Sequence, residues 1–258
     1  MSDAVAGLRL AVGTLTVVPV GAIADPTRGH ARWAMALAPV AALPVAAAVA
    51  SLVAVGHLAS LPALLTAALA LAVIAVGTRA MHLDGLADTV DGIGAGWTRE
   101  RALEVMRRGD VGPMGASALV LVLLTQVAAL STLVDRPQGW LVAGGAVVAS
   151  RASVLLTCRV GMPSARPTGL GAVVAGCVPS WMTGLGGLVV TALLAATATA
   201  VGMSPAAGVV AVVLAAAAVW QLLRTCHRVL GGVTGDVMGA AIELSLAVVL
   251  VVLSSGRW

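Results

Sequence analysis

Two long apolar stretches without a charged residue constrain this chain most strongly, one between Arg32 and Arg79 and one between Arg166 and Arg224. A helix needs about 20 predominantly apolar residues to cross the hydrocarbon core of a bilayer, which is about 30 Å thick. Each stretch is long enough for two such helices. The chain as a whole is 60% hydrophobic and 10% charged, whereas soluble domains carry about 25% charged residues. This composition excludes a water-soluble globule, a disordered tail and a secreted disulfide scaffold.

The apolar pattern predicts an all-α fold, a polytopic helical bundle with about seven membrane-spanning helices. We expect one domain over residues 1–258. Residues 8–24 are apolar but interrupted by Pro19 and Gly21, and they fit an interfacial or re-entrant segment better than a span. The expected spans are residues 34–55, 59–78, 112–134, 139–157, 183–201, 205–223 and 237–254.

The distribution of arginine predicts the orientation of these spans. All 15 basic residues are arginine, and seven spans with a cytoplasmic N-terminus place twelve of them inside. Only Arg136 and Arg257 lie outside, and Arg151 falls within the fourth span. The positive-inside rule therefore favours a cytoplasmic N-terminus. The arginines are scattered in loops without aromatic residues between them, so the basic charge does not indicate nucleic-acid binding.

The chemistry concentrates in residues 79–110, which hold 11 of the 26 charged residues. In the expected topology this stretch is the largest cytoplasmic loop, residues 79–111. Asp84, Asp88 and Asp91 stand at i, i+4 and i+7, within about 60° of one another on a helix face at about 100° per residue. Like charges at this spacing destabilise a helix.

A divalent cation between the three carboxylates would remove their repulsion. Magnesium prefers carboxylate oxygens and takes water and substrate phosphates as its other ligands. We therefore predict a magnesium site at Asp84, Asp88 and Asp91, with manganese not distinguished, and chance acidic capping as the alternative. His82 lies next to these aspartates in the sequence. A single histidine near a membrane surface is usually a packed or hydrogen-bonded residue, so a role as ligand or base is the less favoured interpretation.

Several further groups are candidates for phosphate binding. Two arginines precede a glycine-rich turn before a helix, where fork-like donors and backbone N–H groups suit a phosphate; the alternative is a positive-inside anchor. A second glycine-rich turn opens the last span, either as a phosphate cradle with an acid as metal ligand or base, or as a plain turn with a helix cap. The candidates in these two regions are Arg107, Arg108, Gly231, Gly232, Thr234, Gly235 and Asp236. Arg79, at the start of the charged stretch, is a further candidate for phosphate binding.

Three further residues are weaker candidates. Glu243 lies within the last span, and an ionisable residue inside a span is a functional candidate by default. It could instead pair with Arg151 of the fourth span. Arg166 belongs to a loop that also contains Gly169 and Gly171, a weak signal for an anion site.

The segment from His82 to Gly92 resembles the signature of cobalamin synthases, also called adenosylcobinamide-GDP ribazoletransferases. Other parts of the chain resemble this family in residues 15–20, 150–151, 165–171 and 231–244. One departure concerns Arg108 and Asp110, because the acid and the arginine are exchanged relative to many members. Asp110 is therefore a further metal candidate, and which of the two positions serves metal and which phosphate stays open.

The resemblance implies a magnesium-dependent, multi-pass enzyme of the bacterial inner membrane with its active site on the cytoplasmic face. α-Ribazole or its 5′-phosphate would attack adenosylcobinamide-GDP, releasing GMP and forming adenosylcobalamin or its 5′-phosphate in the last steps of cobalamin biosynthesis. Asp91 is the first candidate for the base and Asp236 the second, with Asp88 a further catalytic candidate.

Two other functions remain open at this stage. The acidic motif also resembles the Asp-x-x-Asp-Gly motif of CDP-alcohol phosphatidyltransferases, which run similar chemistry at a membrane face. A transporter is a less favoured alternative, because transporters place their sites near the bilayer midplane on broken helices. Here the densest charge lies at one face of the expected bundle.

Overall fold

The computed structural model describes residues 2–21, 23, 25–95 and 97–255. Over these residues the regular elements are helices, and two isolated bridges join Arg159 to Val178 and Ser164 to Val233. The all-α fold is therefore confirmed. The helices are α1 (Asp3–Leu15), α2 (Arg28–Ala36), α3 (Ala38–Ala41), α4 (Leu43–Leu58), α5 (Ala63–Gly77), α6 (Met81–Gly94), α7 (Arg99–Val105), α8 (Pro113–Val134), α9 (Gly139–Arg151), α10 (Ser153–Thr157), α11 (Leu170–Val174), α12 (Ser180–Ala200), α13 (Pro205–Leu230) and α14 (Gly235–Ser254).

Within the described part of the chain, five apolar helical segments are long enough to cross a membrane, and they match five of the predicted spans. They are α8, the combined α9 and α10 (Gly139–Thr157), α12, α13 and α14. A sixth arises if the bent pair α5 and α6 counts as one span, and α4 is apolar but shorter. The count of seven and the cytoplasmic N-terminus thus stay predictions, and Arg257 lies outside the described residues.

The first predicted span, residues 34–55, is wrong as a continuous helix. The chain forms three helices there, with breaks at Leu37 and Ala42. Pro39 and Pro44 lie in the first turns of α3 and α4. Proline has no N–H and its ring clashes with the preceding turn, so it starts a helix readily but does not continue one.

The predicted loop 79–111 is largely helical, since it contains α6 and α7. α6 turns 89° away from α5, and with 14 residues it is only about 21 Å long at 1.5 Å per residue. The turn between the two helices places Arg79 and Ala80 in the left-handed region, with φ of 55° and 53°. Helix α1 supports this turn: Arg79 Nη2 donates to the carbonyl oxygens of Gly13 at 3.0 Å and Thr14 at 3.3 Å.

Helix α14 lies at the centre of the bundle, because most of its side chains are buried and it packs on α6, α8, α9 and α13. Its approach to α6 requires two glycines. A Cβ on Gly85 would lie 2.7 Å from the carbonyl oxygen of Asp236, and a Cβ on Gly239 would lie 3.1 Å from the Cα of His82. The three cysteines, Cys158, Cys177 and Cys226, are free and buried.

Candidate active site

A group of three carboxylates forms where α6 crosses the first turn of α14. Gly85 contacts the backbone of Asp236, so Asp236 is brought to the α6 face that carries Asp84 and Asp88. Burial raises the pKa of Asp88 to about 6, and the charges of Asp84 and Asp236 add to this effect. We call Asp84, Asp88 and Asp236 the carboxylate cluster. Two of its members come from the predicted motif and the third from the C-terminal turn.

Arg166 lies beside the carboxylate cluster and partly balances its charge. Its Nη1 is 3.7 Å from Oδ2 of Asp236, and its Nη2 donates to the carbonyl oxygen of Leu103 at 3.3 Å. The guanidinium also acts against the rise in the pKa of Asp88. Arg166 therefore ties the 164–171 loop to both α7 and α14, and brings a positive group to the carboxylates.

Asp91 has a different environment from Asp84 and Asp88. Its Oδ2 accepts from Gly112 N at 2.7 Å and its Oδ1 from Gly115 N at 2.8 Å. Both N–H groups belong to the start of α8, where a helix leaves its first N–H donors unsatisfied and favours negative charge. Asp91 thus caps α8 with both of its oxygens. This geometry argues against Asp91 as the base and against the predicted grouping of Asp84, Asp88 and Asp91 around one ion.

A polar cavity of about 130 Å³ adjoins the carboxylate cluster. Backbone hydrogen bonds join the two loops that form it: Val233 N donates to Pro163 O and Ala165 N to Val233 O, each at 2.9 Å. A Cβ on Gly171 would lie 3.0 Å from the Cα of Thr234, so this glycine permits the close approach of the loops. The polar residues of the lining are Ser164, Arg166, Thr168, Thr234 and Asp236.

The C-terminal glycine-rich turn mainly connects α13 to α14 and caps α14, which is the structural alternative to a phosphate cradle given above. Gly231 ends α13 with a φ of 76°, and a Cβ on Gly232 would collide with the carbonyl oxygen of Pro163. Thr234 caps α14, because its hydroxyl accepts from Val237 N at 3.3 Å. Of the predicted phosphate-binding residues in this turn, the structure places Thr234 and Gly235 in the polar cavity.

The predicted arginines near α7 lie outside the carboxylate cluster. Arg108 pairs with Glu104 at 2.8 Å and is exposed, and Arg107 is exposed as well. Exposed pairs of this kind contribute little to stability. Arg108 and Asp110 line a second cavity of about 310 Å³ next to Asp91. Arg79 uses its guanidinium to hold the end of α1, as described above.

The remaining candidates are buried inside the bundle. His82 and Arg151 are 2% and 1% exposed, and Glu243 is 2% exposed. Gln126 Nε2 donates to Oε2 of Glu243 at 2.9 Å. The structure therefore does not bring these residues into the carboxylate cluster.

The donor chemistry of the carboxylate cluster suits a magnesium ion. Among the described residues, no three His, Cys, Asp or Glu side chains converge on a site that could hold a metal by themselves. Magnesium, however, is usually bound through one or two carboxylates with substrate phosphates and water as the other ligands. Burial is the main cause of the raised pKa of Asp88, and the repulsion from Asp84 and Asp236 that adds to it would be relieved by a cation.

Sequence reasoning missed three residues that shape this region. Thr168 lines the polar cavity, Arg99 Nη2 donates to Ala165 O at 3.0 Å, and Gln126 is the partner of Glu243. The signal for the first was its position in the sequence, two residues after Arg166 and directly before Gly169 in the loop already considered as an anion site. The other two depend on tertiary packing.

Known proteins of one family match this chain along almost its whole length. The family model of cobalamin-5-phosphate synthase matches residues 7–254. A curated relative from Nocardioides sp. is 45% identical over 242 residues, which cover 94% of this chain and 95% of the relative. Relatives from Frankia casuarinae and Corynebacterium efficiens are 38% and 37% identical, covering 95% of this chain and 93% and 90% of their own lengths. All three are named adenosylcobinamide-GDP ribazoletransferase. No solved structure matches.

Proposed function

The chain belongs to the cobalamin-5-phosphate synthase family, and we propose from this membership and from the site that it acts as an adenosylcobinamide-GDP ribazoletransferase in the last step of cobalamin synthesis. The observation that carries the proposal is the meeting of Asp84, Asp88 and Asp236 with Arg166 beside a polar cavity. Carboxylates, a guanidinium and a polar cavity together suit the transfer of a phosphoryl group from a diphosphate to a hydroxyl.

The reaction replaces a phosphoanhydride bond with a phosphate ester bond. The oxygen of the ribazole 3′-hydroxyl forms a bond to the phosphorus that carries cobinamide, and the bond from this phosphorus to the bridging oxygen of the diphosphate breaks. GMP leaves with the electron pair, and the hydroxyl proton passes to a base. Phosphoryl transfer requires charge neutralisation and alignment more than covalent help. The class of the enzyme is therefore a phosphotransferase for substituted phosphate groups.

Asp84 and Asp236 are the ligands that we assign to a magnesium ion, one from each of the two crossing helices. The bound ion supplies Lewis-acid stabilisation of the diphosphate charge. Because the two acids come from α6 and α14, the geometry of the ion site depends on how closely these helices pack. The close approach of the helices at Gly85 is therefore part of the geometry of the site, since a Cβ there would lie 2.7 Å from the carbonyl oxygen of Asp236.

Asp88 is the base in this proposal. It is half-buried and lies one helical turn from Asp84, within the influence of Asp236. Both oxygens of Asp91 accept backbone N–H groups, whereas the carboxylate of Asp88 is close enough to Asp84 and Asp236 for their charges to raise its pKa further, beyond the effect of burial. A raised pKa brings a carboxylate closer to the working range of a general base.

Arg166 and the first turn of α14 hold the substrate phosphates in this proposal. Arginine supplies paired N–H donors for non-bridging phosphate oxygens. The start of α14 adds backbone N–H groups and the positive end of a 20-residue helix. The hydroxyl of Thr168 lies on the same cavity wall. We further propose that this site faces the cytoplasm from the bacterial inner membrane.

The experiment is a GMP release assay with adenosylcobinamide-GDP and α-ribazole 5′-phosphate in membranes that contain the protein. We expect magnesium-dependent GMP release and the corrinoid product in equal amounts. Asp88→Asn should lower turnover roughly a hundredfold, in the range of a lost general base. The matched control is Asp135→Asn, which changes an exposed acid at the opposite end of α8 and should keep full activity.

Two results would contradict the proposal. Absence of GMP release by the wild-type protein under these conditions is one. Release of CMP from CDP-diacylglycerol in preference to GMP is the other, because it would indicate a phosphatidyltransferase. The comparison of the two nucleotide substrates is thus part of the same assay.

A further inference from the structure

Two arginines contact one tryptophan in the C-terminal half of α13. The guanidinium carbon of Arg159 lies 4.9 Å from the ring centroid of Trp220, and that of Arg224 lies 5.6 Å from the same centroid. Both distances are within the range of a cation–π interaction, which extends to about 6 Å. We call Arg159, Trp220 and Arg224 the arginine–tryptophan patch. One indole thus brings together two positive charges from different parts of the chain.

The two positive charges of the patch have no acidic partner in the described part of the chain. The ion pairs found there include neither Arg159 nor Arg224. The Nε atom of Arg159 is buried and has no hydrogen-bond partner among the same residues. Neighbouring like charges repel each other, and a buried donor without an acceptor is costly. An anion bound between the two guanidinium groups would offset their repulsion.

Backbone pairing fixes the position of Arg159. Val160 N donates to Val178 O at 2.8 Å, and Val178 N donates to Cys158 O at 3.0 Å. These bonds join the segment after α10 to the segment before α12. The patch therefore exists without a ligand, and binding would not have to order a loop first.

The outer face of α13 connects the patch to an apolar surface. Val209, Val213, Trp220 and Arg224 lie within about 60° of one another on the helix, and all four are exposed. At 1.5 Å per residue the apolar face runs about 17 Å from Val209 to Trp220 before it reaches Arg224. An apolar face that ends in arginine matches a molecule with acyl chains and an anionic head group.

A second exposed tryptophan, Trp181 at the start of α12, lies at nearly the same height as Trp220. α12 and α13 follow each other through a short turn, and a Cβ on Gly208 would collide with the backbone of Ala195. From this contact Trp181 lies about 21 Å back along α12, and Trp220 lies about 18 Å onward along α13. Tryptophan is enriched where membrane helices reach the bilayer interface. The two rings therefore place the arginine pair at the level of the lipid head groups.

We propose that the arginine–tryptophan patch binds the phosphate of an anionic phospholipid, in the leaflet on the side of the carboxylate cluster. The two sites share this side because α13 ends at Leu230 and α14 begins at Gly235, next to Asp236. Arginine supplies paired N–H donors for phosphate oxygens. Basic sites between membrane helices are typical of anionic head groups. The acyl chains lie along the exposed face of α13, which a free phosphate ion would leave uncovered. This binding does not depend on the transfer reaction.

Thermal unfolding of the full chain in detergent tests the proposal with three additives. They are phosphatidylglycerol, phosphatidylcholine with the same acyl chains, and glycerol 3-phosphate. We expect phosphatidylglycerol at about a hundredfold excess over its Kd to raise the thermal midpoint by roughly 5–11 °C, and the other two to leave it unchanged. An equal rise with phosphatidylcholine would overturn the proposal, because the acyl chains alone would then bind. An equal rise with glycerol 3-phosphate would also overturn it, because the occupant would then be a soluble phosphate.

A pair of double variants separates the patch from the net charge of the protein. Arg159→Gln with Arg224→Gln should abolish the rise caused by phosphatidylglycerol. The matched control is Arg101→Gln with Arg107→Gln, which removes the same charge from two exposed positions in and just after α7. The control should keep the full rise. Equal losses in the two double variants would contradict the proposal, because the lipid would then respond to net charge and not to the patch.

Trp220→Leu is a further variant that keeps both arginines and an apolar side chain. Without the indole the two guanidinium groups lose the surface that holds them together. We expect the rise caused by phosphatidylglycerol to fall by at least half. The full rise in this variant would show that the ring does not organise the site.

Discussion

Replacement of Asp91 by asparagine separates a structural acid from the acids of the site. The carboxylate of Asp91 accepts hydrogen bonds from Gly112 N at 2.7 Å and from Gly115 N at 2.8 Å. The residue is buried, with 8% of its surface exposed. Asparagine has nearly the same shape but only one acceptor oxygen. The NH₂ group of the asparagine would face one of the two backbone N–H groups, and that N–H group would then have no acceptor. The change therefore removes one hydrogen bond completely and weakens the other.

The magnitude follows from these two bonds. A hydrogen bond to a charged group contributes about 1.5–3 kcal/mol, and a negative charge at a helix start contributes about 0.3–1 kcal/mol more. We expect Asp91→Asn to lower the free energy of unfolding by about 2–4 kcal/mol. At about 2–4 °C per kcal/mol for a chain of this size, the thermal midpoint should fall by roughly 4–16 °C.

The assay is thermal unfolding of the purified protein in detergent, together with the magnesium dependence of GMP release. Asp88→Asn is the matched control, because it makes the same change one turn earlier on the same helix. It should lower turnover roughly a hundredfold without lowering the midpoint. The reasoning is refuted if Asp91→Asn unfolds at the wild-type temperature while its magnesium requirement rises tenfold or more, since Asp91 would then be a ligand.

Three further predictions concern the supports of the site. Arg79→Ala should destabilise the protein by about 1–2 kcal/mol in thermal unfolding, because two hydrogen bonds from a charged donor are lost; an unchanged midpoint would show that α1 does not hold the turn. Gly85→Ala should reduce GMP release at least tenfold, because its Cβ would lie 2.7 Å from the carbonyl oxygen of Asp236, whereas Gly187→Ala, which meets open space, should be silent. The third concerns pH. The pKa of Asp88 is raised to about 6, so the folded state holds this proton more tightly than the unfolded state and stability should fall as pH rises from about 4 to about 6; thermal midpoints in EDTA should show a weaker fall for Asp88→Asn, and identical profiles would contradict the raised pKa.

The sequence predicted much of the fold, because membrane helices are governed by length and polarity. Five predicted spans appear as apolar helices of sufficient length. The first predicted span was wrong at Pro39 and Pro44, which begin new helices. A count of apolar residues does not detect these breaks, because proline counts as compatible with the apolar run although it has no N–H to continue a helix. The bend at Arg79 and Ala80 was not predictable, because neither residue favours the left-handed region by itself.

The candidate site was predictable in its chemistry but not in its grouping. Helical spacing put Asp84, Asp88 and Asp91 on one stripe, and α6 is a helix as expected. The start of α8 nevertheless takes up Asp91, while Asp236 from a distant part of the chain joins the other two. Periodicity describes one helix at a time, so the choice of partners depends on tertiary packing.

Manganese binding measured by electron paramagnetic resonance tests the central claim most directly. Manganese would substitute for magnesium, and GDP would supply the diphosphate oxygens that complete its coordination. The account predicts that wild-type protein and Asp91→Asn bind manganese in the presence of GDP, at a temperature where both are folded, and that Asp84→Asn and Asp236→Asn lose this binding. Retained binding in the last two variants, with loss in Asp91→Asn, would contradict the account.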